Sequence, residues 1–165
     1  MFENIVFEGG GVKGVGFIGA LEALEKNRVL HNIKNIAGTS AGGGFAALYA
    51  IGYRNKELRD ITFRLDFNKF KDDSYGFIRD TRRILGGFGL YKGDAIKIFY
   101  EDLFYKKTRV RNITFRRLYE MTGKKLILTG TCINDKCIKY FSVDTTPNMP
   151  IADAVRITVS IPLVF

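Results

Sequence analysis

The sequence is poor in several residue types that carry chemistry. It has one histidine, His31, two cysteines, three prolines and no tryptophan in 165 residues. A lone imidazole excludes sites built from several histidines. Two cysteines exclude a Cys-rich zinc site and a disulfide framework, so no metal is expected. So few prolines argue against a linker-rich architecture. The start, Met1-Phe2-Glu3-Asn4, has no basic segment ahead of an apolar run, so no secretory signal is expected, and the chain reads as cytoplasmic or as exported by a route without a cleaved signal.

What is present suits one packed domain over 1–165. The chain is 46% hydrophobic and 13% aromatic, enough apolar surface to exclude a disordered or fibrous protein. Lys+Arg number 26 and Asp+Glu 17, a formal net charge of +9. Such a surface attracts an anion: nucleic acid, an anionic membrane or an acidic partner. Charge alone does not choose among them.

Apolar patterning predicts a strand over 3–8 and a helix over 14–26 with Phe17, Leu21 and Leu24 on one face. A second strand is expected around Ile33, Ile36 and Ala37, then an Ala-rich helix over 41–52. Residues 36–53 carry no charge and approach the length of a membrane span, but their glycines, Thr39 and Ser40 fit a buried strand–turn–helix better. Asn55 is expected to cap a helix over 56–65. Residues 66–92 read as irregular, with Gly76 and Gly86-Gly87-Phe88-Gly89 as loop points. Asp94 is expected to cap a helix to Tyr105 with Ile98, Phe99, Leu103 and Phe104 as its apolar positions, and Thr114 one to Met121. Residues 125–133 and 136–143 read as a hairpin turning at Asn134-Asp135, followed by a helix over 151–159. Strands interleaved with helices indicate an α/β layered fold.

Two glycine motifs fall between a predicted strand and a predicted helix. Gly9-Gly10-Gly11-Val12-Lys13-Gly14 satisfies G-x-G-x-x-G. Glycines there let the backbone turn tightly and approach an anion, and a helix start offers free N–H donors. A dinucleotide site would also want an acidic residue at the end of the next strand, where Ile36-Ala37-Gly38-Thr39 has none. A Walker A loop would need Gly-Lys-Ser/Thr, which is absent. The second motif, Gly38-Thr39-Ser40-Ala41-Gly42, is a G-x-S-x-G pattern that fits a nucleophile elbow, or more plainly a β–α turn with a capping serine.

Together the motifs say more than either alone. On parallel neighbouring strands they share one sheet edge, with backbone N–H groups beside a hydroxyl. That is the layout of acyl transfer. His31 lies nine residues before Ser40, at the start of the strand that Ser40 ends, so it is expected at the opposite edge. A carboxylate or lysine base is left to activate the serine.

These residues resemble the patatin-like phospholipases, which share G-G-G-x-K/R-G as an oxyanion hole and G-x-S-x-G as the elbow. Gly89-Leu90-Tyr91-Lys92-Gly93-Asp94, Ile113–Leu118 and Ala154–Pro162 are further similar stretches. The resemblance implies a three-layer α/β/α sandwich and hydrolysis of phospholipid or other ester lipids without a cofactor. It implies Ser40 as the nucleophile of a Ser-Asp dyad. Gly9, Gly10 and Gly11 become the oxyanion loop, supported by Lys13, Gly14, Gly38 and Gly42. The family's aspartate sits in an Asp-Gly motif downstream of the stretch resembling Ala154–Pro162, and this sequence has no Asp-Gly dipeptide. Asp144 and Asp153 read instead as a solvated strand end and a helix first-turn residue. The expectation is therefore the N-terminal portion of a patatin domain. The alternative is a catalytically incomplete lipid-binding module of the same fold.

Between Tyr105 and Lys125 lie eight Lys and Arg residues against one acid, Glu120. With Phe104, Tyr105 and Phe115 nearby, this segment reads as a face for anionic lipid headgroups or as a plain solvated face. No nucleic-acid motif accompanies it, so a peripheral membrane association is expected instead. Residues 66–92 read as a cap over an acyl channel or as an ordinary packed loop. Cys132 and Cys137 flank the hairpin turn and would be opposed across it, as free thiols in a reducing cytosol or as a disulfide under oxidation.

Overall fold

A computed structural model of the chain describes residues 2–65 and 93–160. The cap and loop points expected within 66–92 lie outside the described residues. Strands β1 (Asn4–Phe7), β2 (Asn35–Gly38), β3 (Lys125–Cys132) and β4 (Cys137–Phe141) form one sheet in the order β1-β2-β3-β4. The first three are parallel, and β4 returns antiparallel from β3. Between them run helices α1 (Gly16–Lys26), α2 (Ala41–Ile51), α3 (Asn55–Phe63), α4 (Asp94–Thr108) and α5 (Phe115–Thr122), and α6 (Ile151–Val159) follows the sheet.

Register explains which face is buried. Ile36 and Leu126 pair in one row, and Phe7, Gly38 and Leu128 in another two residues on. Side chains two apart share a face, and Phe7, Ile36, Leu126 and Leu128 are all buried. Each such side chain contributes about 1.5–3 kcal/mol relative to an exposed one. Helices α2, α5 and α6 all contact β3, and Gly130 of that same face packs beneath Ile157 of α6. Helix α2 lies at the centre, with Ala46, Ala47 and Ala50 fully buried. Its small side chains let sheet and neighbouring helices close on it from several directions, which is why the uncharged stretch 36–53 is a core strand–turn–helix. Among the described residues no helix is long and apolar enough to cross a membrane.

The opposite face is open to solvent at Val6 of β1 and at Ile138 and Tyr140 of β4. The fold is the expected α/β class, a mixed sheet with helices, and the described helices that contact β3 supply the layer on its buried face.

Local differences from the sequence reading have physical causes. The helix expected from residue 14 opens as a 3-10 turn, Gly11–Val15, because the glycine-rich entry bends too tightly for an α-turn. Asn55 is the first residue of α3 rather than its cap. Arg54 takes the cap position, and the Glu57 carboxylate accepts from its backbone N–H at 2.9 Å. Likewise Gly93, in the left-handed region at φ 72°, precedes α4, and Asp94 sits in the first turn. In α4 the inward stripe is Ile96, Tyr100, Leu103 and Phe104, while Ile98 is exposed. Thr114 caps α5 as expected, its hydroxyl accepting from the Arg117 N–H. The hairpin pairs Cys132 with Cys137 across a four-residue loop, and both thiols are free.

Candidate active site

Strands β1 and β2 end side by side, Phe7 opposite Gly38. Each runs into its glycine motif, so the two motifs meet at the C-terminal edge of the sheet. The first continues as Gly9-Gly10-Gly11 into the 3-10 turn, where the Lys13 N–H donates to the Gly10 carbonyl at 3.1 Å. The second turns at Thr39-Ser40 into α2. A methyl carbon placed on Gly9 would lie 3.4 Å from Ser40 Cβ, so the loop passes close beside the serine with room for little more than a bare backbone.

Ser40 occupies a conformation that side chains rarely adopt, φ 53° and ψ −130°. Holding a non-glycine residue there costs on the order of 1–3 kcal/mol, and such strain concentrates at functional sites. The turn also depends on Gly42. A Cβ there would come within 2.2 Å of the Glu8 carbonyl oxygen and 2.3 Å of the Phe7 one. Only a residue without a side chain lets the first turn of α2 press against the end of β1. Three backbone–backbone hydrogen bonds help secure the elbow. The N–H groups of Gly43 and Gly44 donate to the Ser40 carbonyl at 2.8 and 3.2 Å, and the Thr39 N–H donates to the Phe7 carbonyl at 3.2 Å. The Thr39 hydroxyl meets that of Thr129 on β3.

A cavity of about 430 Å³ opens onto Ser40. Gly11, Val12, Gly14 and Val15 line one side, Phe45 and Leu48 of α2 the base, and Ile61, Ile96, Phe99 and Tyr100 the far wall. The lining is overwhelmingly apolar. Burial pushes the Tyr100 phenol up to about 12, so it stays neutral. Among the described residues no carboxylate or imidazole lines this cavity.

The sequence model of a family described as patatin-like phospholipase matches residues 5–165. The chain belongs to the patatin-like phospholipase family. It is 36% identical over 176 residues to the uncharacterized protein YqhO of Bacillus subtilis, covering 100% of this chain and 57% of that one. It is 29% identical over 164 residues to a protein of Invertebrate iridescent virus 6 named "Probable lipid hydrolase 463L", covering 99% and 55%. The chain thus spans about half the length of these relatives. Its fold is that of ExoU from the type III secretion system of Pseudomonas aeruginosa, solved with SpcU. The TM-score is 0.77 at 23% identity, over 99% of this chain and 39% of ExoU.

The other sequence candidates divide between the cavity and the rest of the molecule. Lys13 is exposed in the 3-10 turn and is not among the cavity residues, whereas Gly14 is buried and lines it. Gly38 is buried at the end of β2. His31 precedes β2 at the other end of the sheet, with its Nδ1 2.9 Å from the Arg28 carbonyl oxygen. Asp144 pairs with Lys125 at the start of β3. Asp153, in the first turn of α6, pairs with Lys97 at 2.6 Å.

The basic segment also lies at the far end. Phe104 and Phe115 are core residues, not an apolar fringe for lipid, because α4 and α5 turn them inward. Lys107 pairs with Glu57 at 2.8 Å, Arg117 with Glu120 at 3.5 Å, and the Arg111 guanidinium sits 4.3 Å from the centre of the Tyr105 ring.

Sequence reasoning did not single out Thr158, Thr129 or the α4 wall. The Ala154–Pro162 similarity marked the first without giving it a role. The spacing of Ile96, Phe99 and Tyr100 was the available signal for the wall.

Proposed function

We propose that this protein hydrolyses ester bonds of lipids, with Ser40 as nucleophile. The observation that carries the reading is the strained Ser40 elbow beside the glycine loop, both lining an apolar cavity. Family membership and the name of the iridescent-virus relative agree with it. The Ser40 Oγ attacks the ester carbonyl carbon while a base takes its proton. The carbonyl oxygen becomes an oxyanion held by backbone N–H groups of the Gly9-Gly10-Gly11 loop and the first turn of α2. The ester C–O bond then breaks, the departing alcohol receives the proton, and water repeats the sequence to release the fatty acid.

The base in this reading is an aspartate supplied from outside the described residues, since none of those lining the cavity is acidic. The apolar lining suits an acyl chain, and the exposed Val12 and Val15 at the opening suit contact with a lipid surface. The test is turnover of p-nitrophenyl acyl esters and of phospholipid vesicles by the full-length protein. Ser40→Ala should abolish both, and undiminished turnover by that variant would contradict the assignment. A lipid-binding module without chemistry would instead bind vesicles and leave esters intact.

A further inference from the structure

We propose that Thr158 is a positioning residue for Ser40, its hydroxyl holding the serine's backbone amide and thereby fixing the strained elbow. The inference rests on the reading of Ser40 as nucleophile. The Ser40 N–H donates to Thr158 Oγ1 at 2.9 Å, a bond spanning 118 residues of chain. Thr158 lies in the last turn of α6 and is only 9% exposed.

The approach is built into α2. A Cβ on Gly43 would sit 2.6 Å from Thr158 Cγ2, so the bare backbone there admits the threonine. The next residue, Val159, lines the cavity itself. Strained backbone persists only where its surroundings over-determine it. Here Thr39 is tied to β3 through Thr129, and Ser40 is tied to α6 through Thr158. The elbow is therefore gripped on two sides by elements distant in sequence.

This has a chemical consequence. The amide of Ser40 is already engaged, so the donors for an oxyanion come from the glycine loop and the first turn of α2. A threonine that merely filled a core position would need its methyl and not its hydroxyl. Valine keeps that shape and removes the acceptor. Serine keeps the acceptor and removes the methyl.

The experiment compares Thr158→Val and Thr158→Ser in the full-length protein. It measures the second-order rate of labelling by a fluorophosphonate probe, with kcat and KM on a p-nitrophenyl acyl ester. Thr158→Val should lower labelling and kcat about 10- to 100-fold while KM stays within about twofold, because the serine is misplaced and the cavity is not. Thr158→Ser should stay close to wild type. Wild-type rates in Thr158→Val, or equal damage in both variants, would overturn the proposal. Should Thr158→Val fail to fold, hydrogen exchange of the Ser40 amide in the wild-type protein decides instead. Protection supports the contact, and exchange as fast as an exposed amide refutes it. A wild-type protein that neither labels nor turns over ester counts against the nucleophile reading, while the exchange result still judges the Thr158 contact.

Discussion

The two ends of the sheet each hold a cavity of comparable size, about 430 Å³ at the C-terminal edge and about 350 Å³ at the other. The second is lined by Glu25, His31, Tyr49, Tyr53, Asn55 and Lys124, among others. It has the richer set of titratable groups. The Lys124 ammonium lies 5.2 Å from the Tyr49 ring centre, and burial holds its pKa below the usual lysine range. Burial also raises the Tyr49 phenol. Yet no strained serine or glycine loop lies among its lining residues; His31 meets the carbonyl of Arg28, and Lys124 lies by the Tyr49 ring. The first cavity has almost no charge, but a strained serine and a glycine loop converge on it. Convergence of a nucleophile with backbone donors, not density of polar groups, separates a candidate reaction centre from a polar hollow.

The sharpest way to break this contrast is at Gly42. Gly42→Ala forces a methyl into the carbonyl oxygens of Phe7 and Glu8 and should cost about 3 kcal/mol or more. We expect it to unfold the protein or lower its melting temperature by many degrees, measured by calorimetry. Gly11→Ala is milder. Its φ of +53° is costly for alanine, but nothing lies within 4 Å of the added carbon. About 1–2 kcal/mol of strain is expected, with a clear fall in kcat if the loop must keep its shape around the oxyanion.

At the far end the expectation reverses. Lys124→Met removes a partly desolvated charge and a cation–π contact that nearly offset one another, so stability should change by less than about 1 kcal/mol. Probe labelling at Ser40 should not change at all. A large loss of activity in Lys124→Met would erase the distinction between the two ends.

The smallest effect concerns Glu57. The Arg54 backbone N–H, and then Lys107, hold its carboxyl below the usual range. A carboxyl whose folded pKa is depressed contributes stability above its unfolded pKa, and that contribution is lost as pH falls below it. Glu57→Gln should therefore melt slightly lower than wild type at neutral pH, by less than about 1 kcal/mol given its solvent screening. The gap should close as pH drops from about 5 toward 3.

How much of this was legible beforehand follows from the range of each interaction. The helix over 151–159 and the Thr114 cap could be read because periodicity and a cap are local signals. The pairing of the two glycine motifs was legible because each motif encodes its own turn and parallel strands align their ends. Thr158 was not, since the 118-residue separation between donor and acceptor leaves no local pattern. The surroundings of the basic run 106–125 were not legible for the converse reason. Sequence shows that charges cluster along the chain, but not that α4 and α5 turn Phe104 and Phe115 into the core and place the charges away from Ser40. The elements lost at their boundaries, such as Asn55 and Asp94, were decided by single hydrogen bonds or a left-handed glycine one residue earlier.

The most direct test is to treat the full-length protein with a fluorophosphonate probe and map the adduct by peptide mass spectrometry. The account predicts a single covalent adduct on Ser40 that is absent in Ser40→Ala. An unmodified Ser40 with esterase activity intact, or an adduct on another residue, would contradict it.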